Sequence, residues 1–156
     1  MTDYDILVVD DENDITEILS KILKLAGYKV ATASSAAEAL SYLEASVPPL
    51  IICDISMPEK SGLDLVQDIR FKNFPCAVVM LTAHSEKERI IEALRLGATD
   101  YLIKPFDSEK LLENVALWIQ VGERVGQLTS VQDNAKKLLR INYMKLKNNM
   151  DRKKSG

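Results

Sequence analysis

The stretch LIICDISMP, residues 50–58, decides the fold of this 156-residue chain. Its first four residues are apolar, a run with the length and composition of a strand that is buried on both faces. The run ends at Asp54, whose carboxylate would be buried there and would need a polar or charged partner. The rest of the chain must therefore bring polar groups to the end of this strand.

Three other apolar runs also end in polar side chains. They are Ile6–Val9 with Asp10 and Asp11, Val78–Leu81 with Thr82, and Tyr101–Ile103 with Lys104. The carboxyl ends of parallel strands lie along one edge of a sheet, so these side chains would meet Asp54 there. We therefore expect one polar site built from several strand ends.

Short apolar runs alternate with segments of helical periodicity up to about residue 121. The five runs are Ile6–Val9, Val30–Ala33, Leu50–Cys53, Val78–Leu81 and Tyr101–Ile103. Gly27, Pro48 and Gly97 mark helix ends, and Asp107 or Ser108 can cap a fifth helix. This alternation predicts an α/β fold, a doubly wound five-stranded parallel sheet with helices on both faces. In the flavodoxin-like strand order 2-1-3-4-5, strands 1 and 3 are neighbours at the ligand crevice.

Three carboxylates at one strand edge, those of Asp10, Asp11 and Asp54, repel one another unless a cation lies among them. Two unit charges 4 Å apart cost about 1 kcal/mol in water and about 4 kcal/mol at an effective dielectric constant of 20. Oxygen ligands with room for water favour Mg²⁺ over Zn²⁺, and the single histidine, His84, offers no competing cluster. With the ammonium group of Lys104, Mg²⁺ would make this edge a site for a phosphoryl group on a nucleophilic carboxylate.

Four motifs together resemble the receiver domain of two-component response regulators over residues 5–119, about three quarters of the chain. They are ILVVDDE at 6–12, DISMP at 54–58 with Gly62, LTA at 81–83, and GATDYLIKPF at 97–106. The resemblance implies the flavodoxin-like strand order. It also implies a function in signalling, in which a histidine kinase or a phosphotransfer protein phosphorylates Asp54.

The resemblance further implies which groups would hold the metal. Asp11 and Asp54 would bind Mg²⁺ with their side chains, and Ser56 would bind it with its main-chain carbonyl oxygen. Asp10 would act largely through a metal-bound water. Ser56 and His84 lie where the family varies, and there they would tune the rate of dephosphorylation.

A second group of residues would respond to the phosphoryl group, by the same resemblance. Lys104 would contact it, and the Lys104–Pro105 peptide bond would be cis. The hydroxyl of Thr82 would turn toward a phosphoryl oxygen, and Tyr101 would follow it inward. The surface of the fourth helix, fifth strand and fifth helix would then change its affinity for partners. We expect no enzymatic activity beyond the protein's own phosphotransfer and dephosphorylation.

Residues 122–156, the C-terminal extension, differ in chemistry from residues 1–121, which we assign to the receiver domain. Residues 1–126 carry 12 basic and 21 acidic side chains, whereas residues 127–156 carry 8 basic and 2 acidic ones. Apolar residues recur there at helical spacing, but asparagines interrupt the heptad seam, so one long coiled coil and two shorter helices are both open. We favour a helix bent or broken near Gly122–Gly126 and a disordered end from residue 151.

Protein contacts are the expected output of the domain. We expect a homodimer through the fourth helix, fifth strand, fifth helix and C-terminal extension; the sequence does not name a downstream partner. Nucleic-acid binding is not expected, because the basic residues are scattered and form no recognition helix. The composition, 47% apolar and 28% charged, has no run near the about 20 residues of a membrane span and no secretory signal. A cytoplasmic location follows, with Cys53 and Cys76 as buried thiols.

Two other functions are open. The chain could be the receiver module of a longer enzyme or transcription factor, with the C-terminal extension as the linker to an output domain. It could instead be an aspartate-nucleophile phosphatase of the haloacid dehalogenase type. That chemistry uses an Asp-x-Asp motif after strand 1, whereas strand 1 here ends in Asp10 and Asp11.

Overall fold

The computed structural model of the protein describes the backbone of residues 3–154. Within that range it describes all side chains except those at 84, 127–141, 143, 151, 153 and 154. Clustering of contacts divides the chain into two units, Met1–Gly126 and Gln127–Gly156. No helix among the described residues combines the length and the hydropathy needed to cross a membrane.

Strands and helices alternate through the first unit. The strands are β1 (Ile6–Val9), β2 (Val30–Ala33), β3 (Leu50–Asp54), β4 (Ala77–Thr82) and β5 (Asp100–Ile103). The α-helices are α1 (Asn13–Leu25), α2 (Ala36–Ala45), α3 (Gly62–Phe71), α4 (Lys87–Leu96) and α5 (Ser108–Lys154), and a 3₁₀ turn (His84–Glu86) precedes α4. All neighbouring strands are parallel, in the order β2-β1-β3-β4-β5, which confirms the predicted topology.

Alternate residues of the central strands face two separate cores. In β3, Leu50 and Ile52 pack on the face that α1 and α5 cover, whereas Ile51 and Cys53 pack on the face that α2, α3 and α4 cover. Every residue of β1, β3 and β4 is buried, which is why these strands read as unbroken apolar runs. The two cysteines are buried and free, as predicted.

Local signals set most of the helix ends. The carboxylate of Asp107 accepts a hydrogen bond from the backbone N–H of Glu109 at 2.9 Å, and α5 begins between them. Helix α4 ends at Gly97, whose φ of +113° is a left-handed conformation that favours glycine. Both ends were predicted from the residue types alone.

Helix α5 is not broken near Gly122–Gly126, because it runs from Ser108 to Lys154; the bend that we also allowed there stays a prediction. Gly122 is buried, and a Cβ atom added to it would lie 1.8 Å from the carbonyl oxygen of Pro49. This glycine therefore allows a close approach between α5 and the segment before β3. Its small size, rather than its helix-breaking tendency, suits it to this position.

Helix α5 also includes residues 151–154, which we expected to be disordered; residues 155 and 156 lie outside the described range. Within the second unit, several apolar side chains on this helix are exposed. They are Met144, Leu146 and Met150.

We predict that Gly122→Ala lowers the free energy of unfolding by about 1–3 kcal/mol, the usual effect of overpacking, because the new methyl group would collide with the Pro49 backbone. Gly126→Ala is the matched control in the same helix, since a Cβ there would meet nothing within 4 Å. It should raise stability by about 0.5–1 kcal/mol through helix propensity. Urea unfolding of the two variants measures the difference, and equal effects would contradict the packing role of Gly122.

Candidate functional site

The strand register places the predicted site residues on one edge of the sheet. Val9 of β1 pairs with Cys53 of β3 in the strand register. The next residues of the two chain segments, Asp10 and Asp54, therefore lie beside each other. Thr82 ends β4, the other neighbour of β3. The side chains of Asp10, Asp54 and Thr82 are buried, whereas Asp11 is exposed. Three strands thus present polar groups at one edge of the sheet, where Asp11 leaves the cluster open to water.

The structure brings the three carboxylates and one ammonium group together. One oxygen from each of Asp10, Asp11 and Asp54 can be chosen so that all three lie within 4.8 Å of one another. The Nζ atom of Lys104, just after β5, lies 3.3 Å from Asp10 Oδ2 and 3.8 Å from Asp54 Oδ1. The local charge is therefore negative, with three acids facing one base.

Burial and charge repulsion make Asp54 harder to ionise. Burial, the largest cause, and repulsion from Asp10 raise the pKa of Asp54 from 3.8 to about 6, although Lys104 and the Ser56 N–H act in the opposite direction. For Lys104, burial alone lowers the pKa, but Asp54 and Asp10 together shift it upward overall. In both groups the neighbouring acids add to or oppose the effect of burial, and a bound cation would offset the repulsion among the acids.

The donor set fits a hard divalent cation. Its ligands are carboxylate oxygens, which Mg²⁺ prefers, and the exposed position of Asp11 leaves room for water ligands. No sulfur or imidazole belongs to this cluster, so the described residues give no preference for zinc. Asp10, Asp11 and Asp54 are the side chains that would hold Mg²⁺ here.

Thr82 and Tyr101 are turned away from the carboxylates. The hydroxyl of Thr82 donates to the carbonyl oxygen of Ala83 at 3.2 Å, and the ring of Tyr101 on the edge strand β5 is 41% exposed. The backbone N–H of Lys104 donates to the carbonyl oxygen of Thr82 at 2.8 Å, and Lys104–Pro105 is cis. The backbone of Thr82 is thus bonded to Lys104, while its hydroxyl is directed to Ala83.

Sequence analysis missed two residues beside the site, Glu86 and Arg89. The hydroxyl of Ser56 donates to Glu86 Oε2 at 2.6 Å, and Arg89 Nη1 donates to the same Glu86 oxygen at 3.1 Å and also to Ser56 Oγ. Arg89 Nη2 donates to the carbonyl oxygen of Ile55 at 3.3 Å. The i, i+3 spacing of Glu86 and Arg89 was the available signal for their pairing, but nothing local pointed to Ser56.

Part of the sequence is similar to known transcriptional regulatory proteins. The chain is 42% identical over 107 residues to the transcriptional regulatory protein ZraR of Klebsiella oxytoca, a match that covers 69% of this chain and 24% of that protein. It is 35% identical over 132 residues to the alginate biosynthesis transcriptional regulatory protein AlgB of Pseudomonas aeruginosa, covering 85% of this chain and 29% of that protein. The chain therefore spans about a quarter of the length of these curated relatives.

A solved structure shows the same fold. The receiver domain of NtrX from Brucella abortus superposes with a TM-score of 0.71 at 34% sequence identity, over 74% of this chain and 98% of that one. Residues 6–116 also match the family model described as the response regulator receiver domain. That match includes the strand ends that carry the acids, the threonine and the lysine. The chain belongs to the response regulator receiver domain family.

Proposed function

We propose that this domain is a phosphorylation switch of two-component signal transduction, working in the cytoplasm. Asp54 accepts a phosphoryl group from a histidine kinase or a phosphotransfer protein, with Mg²⁺ as the cofactor. The observation that carries the proposal is the buried Asp54 carboxylate beside Asp10, Asp11 and the ammonium group of Lys104. A carboxylate with a metal position and a cation next to it is equipped to attack phosphorus.

The transfer itself exchanges one bond to phosphorus for another. A carboxylate oxygen of Asp54 forms the new P–O bond of an acyl phosphate while the P–N bond of the donor phosphohistidine breaks, and the imidazole keeps the electron pair. Lys104 is placed to offset the negative charge that the phosphoryl group brings to Asp54. Bound Mg²⁺ would offset the remaining charge on the phosphoryl oxygens and the carboxylates. We propose no chemistry beyond this transfer and the hydrolysis of the product.

Phosphorylation then acts on a two-state equilibrium. The hydroxyl of Thr82 leaves the Ala83 carbonyl for a phosphoryl oxygen, and Tyr101 moves from its half-exposed position toward the space that Thr82 vacates. A phosphoryl group can shift the equilibrium only as far as it binds one state better than the other. The new hydrogen bond from Thr82 is the differential contact in this proposal.

The output surface proposed for this switch is a set of exposed apolar side chains on α4, β5 and α5. They are Ile91, Leu94, Tyr101, Val121 and Val125. We propose that a second copy of the chain covers this surface in the phosphorylated state, with the C-terminal extension taking part. The relatives' greater length supports a further possibility, that the domain regulates an output domain in a longer protein.

We predict that wild type becomes phosphorylated when Mg²⁺ and a small phosphodonor are added, and that Asp54→Asn does not. Intact-mass spectrometry measures the product directly. Asp5→Asn is the control for loss of one acid, because Asp5 precedes β1 and so lies at the opposite edge of the sheet. A phosphorylated Asp54→Asn protein, or an unreactive wild type, would contradict the proposal.

The raised pKa of Asp54 predicts how stability depends on pH in metal-free protein. Between about pH 4 and pH 6 the folded state binds more protons than the unfolded state, so the free energy of unfolding falls as pH rises. The slope from this one group is at most about 1.4 kcal/mol per pH unit. Denaturant unfolding of wild type and Asp54→Asn with a chelator should show that the stability of wild type relative to the variant falls between about pH 4 and pH 6; parallel curves would refute the assignment.

We also predict that activation with Mg²⁺ and beryllofluoride doubles the molar mass in light scattering. Tyr101→Ala should weaken this association, because the ring is exposed on the proposed surface. Phe71→Ala is the control, since that residue is also an exposed aromatic ring, 83% exposed, and lies at the end of α3. A mass that activation leaves unchanged would remove the dimer and would leave the phosphorylation of Asp54 standing.

A further inference from the structure

Three side chains beside the phosphorylation site form one hydrogen-bonded group, the Ser56–Glu86–Arg89 cluster. Glu86 is its centre, because its carboxylate accepts from the Ser56 hydroxyl, from Arg89 and from the backbone N–H of Ala83. The Ala83 bond is 3.3 Å long and ends on Oε1, whereas the other two end on Oε2. Both carboxylate oxygens are therefore engaged.

The cluster joins two loops and one helix. Ser56 and Ile55 belong to the loop after Asp54, Ala83 follows Thr82, and Arg89 lies in the first turn of α4. Ser56 also reaches the site itself, because its backbone N–H donates to Asp54 Oδ1 at 3.4 Å. The start of α4 is thus attached both to the loop that follows Asp54 and to the loop that follows Thr82.

We propose that the Ser56–Glu86–Arg89 cluster is the mechanical link that moves α4 when Asp54 is phosphorylated, with Arg89 as its positioning residue. The inference rests on the proposed function and adds to it a route from the phosphoryl group to the output surface. Neither Glu86 nor Arg89 takes part in the transfer chemistry in this proposal. Their role is to couple the position of α4 to the positions of the loops after Asp54 and Thr82.

The hydrogen bonds indicate how a displacement at Thr82 would be transmitted to α4. When the Thr82 hydroxyl leaves the Ala83 carbonyl, the Ala83 peptide loses a contact that holds its present orientation. The N–H of Ala83 is bonded to Glu86, which directly precedes α4, so a displacement of Ala83 carries the start of the helix with it. Bonds to a charged carboxylate are stronger than neutral ones, which makes this connection stiff.

Arg89 adds the second attachment. Its planar guanidinium donates to the Ile55 carbonyl, the Ser56 hydroxyl and the Glu86 carboxylate, a fork that no other cationic side chain reproduces. Without it, the loop after Asp54 would keep only the bond from Ser56 to Glu86 within this cluster. Helix α4 would then respond less to what happens at Asp54.

If the cluster only stabilised the start of α4, the expected effect of a substitution would be different. The bond from Ala83 to Glu86 on its own is an N-terminal contact of the kind that begins many helices, and losing such a contact affects stability alone. A link between sites affects the response of α4 to phosphorylation. The response must therefore be measured separately from stability.

Hydrogen exchange with mass spectrometry separates the two roles, with Mg²⁺ and beryllofluoride as the probe. In wild type, the probe should change exchange in peptides from residues 54–61 and from residues 87–96. In Arg89→Gln, the first change should remain and the second should shrink about fivefold or more, the usual size of an allosteric coupling. Arg95→Gln makes the same substitution in the exposed last turn of α4 and should behave like wild type.

The outcomes distinguish the two proposals. If Arg89→Gln keeps both changes, or if Arg95→Gln loses the second as well, the link is refuted and the proposed function stands. If wild type shows neither change, the proposed function fails and the link fails with it. If circular dichroism shows that Arg89→Gln does not fold, Glu86→Gln tests the same link, because it removes the charge that holds Arg89 and keeps the side chain's size.

Discussion

The gathering of carboxylates at one edge of a buried sheet is the constraint on which the rest of the structure depends. Asp10 follows β1 and Asp54 ends β3, two strands whose residues are all buried, so water does not hydrate these charges as it would on a surface. Burial first, and then repulsion from Asp10, raise the pKa of Asp54 to about 6, while Lys104 balances one of the negative charges. The remaining negative charge would favour a bound cation.

The parallel sheet holds the polar side chains of such a site close to one another. Four strands each contribute a polar residue from their carboxyl ends, and the helices that cover both faces keep those strands rigid and dry. The elements proposed to move in the switch are less buried. Tyr101 lies on β5, an edge strand with partly exposed residues. Helix α4 packs on the core through Ile90 and Ala93, and Arg89 in its first turn also bonds to the loop after Asp54.

Two features show where prediction from sequence works and where it stops. The strand ends and the Gly97 and Asp107 helix ends were predictable, because each depends on residues that are adjacent in the chain. Gly122 was misread as a helix breaker, since its real partner is the Pro49 backbone far away in sequence. Glu86 and Arg89 were overlooked for the same reason: their bonds to Ser56 and Ile55 join distant segments.

The sequence by itself determined the doubly wound sheet and the set of polar residues at its edge, because apolar periodicity and the residue after each strand are local properties. Only the tertiary structure decided the distances among the acids and Lys104, the direction in which Thr82 points, and the attachment of α4 to the loop after Asp54. These depend on how segments far apart in the chain pack against one another, and spacing along the sequence does not encode that packing.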